Sequence, residues 1–117
     1  MSEIVPATQA MLEFAAGPVM KSMRALAVVD GARLLGVAGI YRDRDRAVMF
    51  ANTLEPMKDH KRILVRAYRK VMKWADEMGL PVHAQANPGI EGACVLLEHL
   101  GFRYIPHHDL WIRHPHG

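Results

Sequence analysis

Cysteine is almost absent. Cys94 is the single one in 117 residues, which excludes an internal disulfide and fits a reducing compartment. No apolar run reaches the roughly 18 residues of a membrane-spanning helix. The first residues, MSEIVPATQAMLEFAAGPVM, put no basic start ahead of an apolar block, so they make a poor secretion signal and a cytoplasmic location is expected. Repeats, linkers and low-complexity segments are missing too. A chain of this length therefore reads as one domain, residues 1–117, around one core.

What is present is a long basic helix. From Arg46 to Leu80 the chain reads as strand, short loop and helix: RAVMFANT, LEPMKDHK, RILVRAYRKVMKWADEMGL. Leu64, Ala67, Tyr68, Val71, Ala75 and Met78 recur at three-and-four spacing, which predicts one buried stripe. Lys58, Lys61, Arg62, Arg66, Arg69, Lys70 and Lys73 account for seven of the fifteen Lys and Arg, against a net charge of only +3. Gly79 and Pro81 stop the helix. About 20 residues at about 1.5 Å each span about 30 Å, the width of a small domain. The other segments must cover its stripe, and a ligand is expected at one of its ends. The basic run is either a solvated face or an anion-binding one. Arg62, Arg66, Arg69 and Lys73 form a strip suited to nucleic-acid phosphates, and no aromatic residue interleaves with it to stack single-stranded bases.

The remaining elements follow in order. TQAMLEFAA, capped by Thr8 and ended by Gly17-Pro18, predicts a short helix. The strand 24–29, from Arg24 to Val29, turns at Asp30-Gly31. LLGVAGIY (34–41) is apolar throughout, so it is expected to be central, and Gly36 and Gly39 suggest a bend or close packing against the backbone. RDRDR (42–46) reads as an exposed, solubilising hairpin loop, and 47–53 as the next strand. After the long helix come a strand at 82–86, a helix at 90–100, a strand at 102–105, a turn at 106–108 and a strand at 109–113. Short loops make the first three strands an antiparallel meander, and the long helix is a right-handed parallel crossover to the fourth. The expected class is α/β, a mixed sheet of about six strands with helices on its faces.

From Met23 onward this order resembles the GNAT acetyltransferase superfamily over about 95 residues. LLGVAGIY resembles that family's central strand. Trp74, Ala75, Gly79 and Leu80 match the end of its main helix, and Ala93, Leu96, Gly101 and Phe102 its closing signature. The resemblance implies a GNAT-like core at residues 23–117 and, at 1–22, a reduced N-terminal helical arm with the family's first strand missing or reduced. The strand 24–29 would then be an open sheet edge for a protein partner or self-association. It also implies an acetyl-CoA donor in the gap between the strands 47–53 and 82–86, with its pyrophosphate on a Gly-rich loop opening the long helix.

That loop is not here: Glu55 to Arg66 contains no Gly or Ala. Lys58, His60, Lys61 and Arg62 are the residues left to hold phosphate through side chains, with Asp59 opposing them. The family's general-acid tyrosine falls on Leu97, which has no proton to give. Glu55 and His83 flank the donor gap and are the candidate bases, although His83 also suits a half-buried strand. Cys94 is expected to be a small core residue. His114, His116 and Asp109 allow a zinc site in principle, but their spacing matches no known finger, and no metal site is assigned. Small GNAT-like proteins of tailed bacteriophages, some internal to the virion, resemble this chain in their basic helix and poor phosphate loop. The expectation is thus a binding or assembly module with a degraded acetyl-CoA site, in the cytoplasm or a phage particle. The alternative is a minimal N-acetyltransferase.

Overall fold

The structure, a computed structural model, describes residues 2–17, 23–54, 61–85 and 93–115. Seven strands form one mixed sheet in the order β1-β2-β3-β4-β5-β7-β6. The chain runs β1 (Ser2–Pro6), α1 (Gln9–Ala16), β2 (Arg24–Asp30), β3 (Arg33–Asp43), β4 (Arg46–Thr53) and α2 (Lys61–Met78). It continues through β5 (Val82–Ala84), α3 (Ala93–His99), β6 (Arg103–Ile105), a 3-10 turn (Pro106–His108) and β7 (Leu110–Arg113). β1 to β4 pair antiparallel, β4 and β5 parallel, and β5, β7 and β6 antiparallel. No helix among the described residues is long and apolar enough to cross a membrane.

α2 lies on one face of this sheet because its sequence leaves it one apolar stripe. Ile63, Leu64, Ala67, Tyr68, Val71, Met72 and Ala75 are buried in the main core. Opposite them are Leu26, Val28, Leu35, Ala38, Ile40, Ala47 and Met49 from β2 to β4, and Val82, Ala84 and Trp111 from β5 and β7. Each large apolar side chain so buried stabilises the fold by about 1.5–3 kcal/mol. Gly79, with φ +67, ends α2 and donates its N–H to the Ala75 carbonyl at 3.2 Å.

Leu35 faces α2 only because the β2–β3 register shifts between Val28 and Val29. Strict alternation from Ala38 and Ile40 would have turned it to the other face. That other face carries α1, whose Leu12 packs on Ala27, Val29 and Val37. Thr8 caps α1 by accepting from the Met11 N–H at 3.2 Å.

The N-terminus corrects the expectation of a helical arm with its strand missing or reduced. Ser2–Pro6 is a strand with five register pairs to β2. Its alternation places Ile4 against the α2 core and Val5 against the α1 core. The closing Pro6, which weakens a strand signal in sequence, is tolerated because β1 is an edge. It follows that Arg24 to Val29 is not an open edge: β2 is paired with β1 on one side and β3 on the other. Cys94 is also not a core residue but exposed, on α3, whose Leu97 takes the core position.

Gly36 and Gly39 mark close backbone packing, as their positions suggested. A Cβ on Gly39 would lie 2.6 Å from the Arg24 carbonyl oxygen, 2.6 Å from Phe50 Cζ and 2.8 Å from Ala25 Cβ. The Phe50 ring can swing away, but the β2 backbone cannot. Gly39→Ala should therefore lower stability in urea melts by about 1–3 kcal/mol. Adding Phe50→Leu should recover only part of that loss; full recovery would mean that β2 yields where the packing says it does not.

Candidate functional site

The sheet opens between β4 and β5. Their register holds for two pairs only, Ala47 with Val82 and Val48 with His83. β4 runs on for five more residues, Met49 to Thr53, while β5 has one, Ala84. The Leu54 N–H donates to Leu35 O and the Ala47 N–H to Pro81 O. Backbone alternation along β4 therefore turns the odd-numbered residues' peptide groups toward β5 and the even-numbered ones toward β3.

A groove of about 470 Å³ occupies this opening, lined by Tyr41, Asp43, Arg46, residues 48–52, His83, Ala84, Gln85 and Leu110. It belongs to the α1 side of the sheet. Val48, Phe50 and Asn52 alternate away from Ala47 and Met49, which are buried under α2, and register puts His83 beside Val48. Tyr41 and Phe50 stand with ring centroids 6.3 Å apart and form an aromatic wall.

The groove's polar end is a chain of three side chains. Arg46 Nη2 donates to Asp43 Oδ2 at 3.1 Å, and Arg46 Nη1 stands 3.2 Å from His83 Nδ1. A guanidinium can only donate, so Nδ1 must accept and the imidazole proton must sit on Nε2. Burial lowers the His83 pKa below the ordinary 6.5; the charges of Arg46 and His114 lower it further, and Asp45 opposes them. The ring is thus neutral at pH 7, with its one lone pair already engaged. His83 is built to donate from Nε2, not to take a proton from an amine.

The other expected site residues fall elsewhere. Glu55, Lys58, His60 and Asp59 lie outside the described residues. Lys61 is the first residue of α2. Arg62 is exposed on the first turn and shares a shallow concavity with Val65, Arg66 and Arg69, apart from the groove residues. Leu97, where the family's acid would stand, is buried, at 4 % exposure. Tyr68 is no substitute: it is buried in the α2 core, and burial raises its phenol far out of the physiological range. Among the described residues no group of His, Cys, Asp and Glu is arranged to hold a metal ion. His116 lies outside them.

Asp43 and Arg46 were missed from sequence, where 42–46 reads as a solvated loop. The turn proper is only Arg44 and Asp45, with Arg44 at φ +61. The available signal was parity: Arg46 shares a strand face with Val48, Phe50 and Asn52.

No protein-family model matches this chain, and no curated protein sequence does. Solved structures do match its fold. The ribosomal-protein-S18-alanine N-acetyltransferase from Escherichia coli aligns with a TM-score of 0.64 at 12% identity, covering 90% of this chain and 79% of that one. The IAA acetyltransferase from Bacillus cereus ATCC 14579 gives 0.65 at 15% identity, with the same 90% and 79% coverage. An acetyltransferase of the GNAT family from Staphylococcus aureus Mu50 gives 0.68 at 10% identity, covering 97% and 99%. The chain has the GNAT-like fold that its sequence resembled, and the likeness is one of fold.

Two outcomes follow for His83. Its imidazole, followed by NMR, should titrate below 6.5, and Arg46→Met should raise the midpoint, whereas Asp45→Asn should lower it further. Because folding favours the neutral ring, the unfolded chain binds this proton more tightly. The stability it contributes is complete above 6.5 and is lost as pH falls through the folded-state value. Unfolding midpoints between pH 7 and 5 should drop less in His83→Gln than in the wild type; equal drops would assign the acid sensitivity elsewhere.

Proposed function

We propose that this GNAT-fold chain is a non-catalytic binding or assembly module in which the acetyl-CoA site is degraded. The observation that carries the reading is the buried Leu97, at the position where the family's acid would stand. Acyl transfer to an amine needs a group to take the amine's proton and one to protonate the departing thiolate. Leu97 offers no proton. His83 has its Nδ1 lone pair held by Arg46, so accepting a proton means breaking that contact or shifting the tautomer. The sequence from Glu55 to Arg66 supplies no glycine through which a diphosphate could approach the backbone. Assembly within a phage particle is the further step that the resemblance to phage-encoded members supports.

A second reading, a minimal N-acetyltransferase, is favoured by the groove itself. Its place in the β4–β5 opening and its walls of Val48, Phe50 and outward peptide groups suit an extended amide-containing arm such as that of acetyl-CoA. Asn52 and the 49–53 backbone would hold that arm, and Lys61 and Arg62 would supply charge toward its phosphates. Acetyl-CoA would bring an activated thioester. The chain would orient it, and among the described groove residues the His83 Nε2–H and the Tyr41 hydroxyl are the protons at hand.

Calorimetric titration of acetyl-CoA into the wild type and a Lys61→Ala/Arg62→Ala variant separates the readings. The module reading expects no heat at millimolar ligand and no thiol release from acetyl-CoA with amine or peptide acceptors. Micromolar binding that is lost in the double variant, together with thiol release, would sink it in favour of the enzyme.

A further inference from the structure

The exposed face of α2 is on the opposite side of the sheet from the groove, and none of its described residues lines the groove. Arg62, Arg66, Arg69, Lys70 and Lys73 are all exposed. At about 100° per residue they fall within an arc of about 100°, and at about 1.5 Å per residue they extend over about 16 Å. Arg62, Arg66, Arg69 and Lys73 follow one another at three- or four-residue steps, about 4.5–6 Å along the axis, with Lys70 beside Arg69. Among the described residues no carboxylate forms an ion pair with any of the five.

The charge order along α2 is the reverse of what a helix prefers. Its dipole favours acids in the first turn and bases in the last. Here Arg62 stands in the first turn with no acid, and Asp76 and Glu77 stand in the last with no base. Those two acids are neutralised from outside, Asp76 by Arg113 at 2.8 Å and Glu77 by Arg24 at 3.0 Å. The strip keeps its charge while the acids of its own helix are occupied elsewhere. Helix stability does not call for this arrangement, and a polyanion does.

We infer that the Arg62–Lys73 face of α2 binds the sugar-phosphate backbone of duplex nucleic acid. Among the described residues its side chains form no ion pair, Val65 is the only apolar residue in the shallow concavity between Arg62, Arg66 and Arg69, and no aromatic ring lines that concavity. Such a surface neutralises phosphates and has nothing to stack on a splayed base. A duplex carries one charge per about 1.7 Å of axis, a density that suits a straight row of cations. Contact is through charge, so sequence preference should be slight.

The test is fluorescence anisotropy with a labelled duplex of about 20 base pairs, between about 50 and 200 mM salt. Wild-type protein should bind with log K falling linearly against log salt, with a slope of about −4.5 if all five cations engage. Arg66→Gln/Arg69→Gln replaces two exposed side chains and should flatten the slope by nearly 2, with the far-UV dichroism unchanged. A Gln9→Ala variant should bind as the wild type does, because Gln9 is exposed on α1, which covers the other face of the sheet. No binding at the lowest salt, an unchanged slope in the double variant, or equally tight capture of polyglutamate would overturn the inference.

Discussion

The two halves of the sheet meet at only two register pairs between β4 and β5, and the rest of the molecule depends on what compensates for that narrow seam. Hydrogen bonds do not, because β4 outruns β5 by several residues. The apolar stripe of α2 does. It contacts the β2–β4 half through residues such as Ile40 and Met49, and the main core it belongs to reaches Val82, Ala84 and Trp111 in the other half. A helix packed across a split sheet lets the strands diverge on the opposite face while the core beneath stays closed. The groove is thus a by-product of where the fold places its cohesion. Arg113 reinforces the same junction: Nε donates to Leu100 O at 2.9 Å and Nη1 to Asp76 at 2.8 Å, joining β7, the end of α3 and α2.

A second tie reaches α2 from the N-terminal half. The Arg24 guanidinium lies 4.5 Å above the Trp74 ring and pairs with Glu77 at 3.0 Å. Both contacts are exposed enough to be worth little individually. Their importance is electrostatic accounting on α2: they occupy Glu77, four residues beyond Lys73, and leave the strip positive.

The parts of the fold governed by periodicity were legible in the sequence. The α2 stripe, Thr8 as a cap, Gly79 as a stop and the parallel crossover all follow from residue spacing and turn chemistry, and the structure has each of them. Two features were not legible. β1 is five residues ending in proline, too short for alternation to outweigh that proline, and its stability comes from pairing with β2. The Asp43–Arg46–His83 chain joins a hairpin to a strand 37 residues later. No local pattern announces such a contact, since it exists only once β4 and β5 are in register. On α3 the apolar spacing of Leu96, Leu97 and Leu100 did mark the inward side, and only Cys94, expected in the core, falls outside it.

The strand order has a consequence for how the chain reaches this state. β1 to β4 are sequential antiparallel neighbours, so the β2–β3 and β3–β4 pairings close two-residue turns at Gly31 and at Arg44 and Asp45. The seam, by contrast, closes only after the chain has travelled from Thr53 to Val82. Short closures cost little entropy and form early, and a long parallel crossover is late. Partial unfolding therefore has a natural dividing line: β5, β7, β6 and α3 can separate as a unit while the meander keeps its ladder. The groove lies on that line, so a molecule bound there would hold together the last part of the fold to assemble.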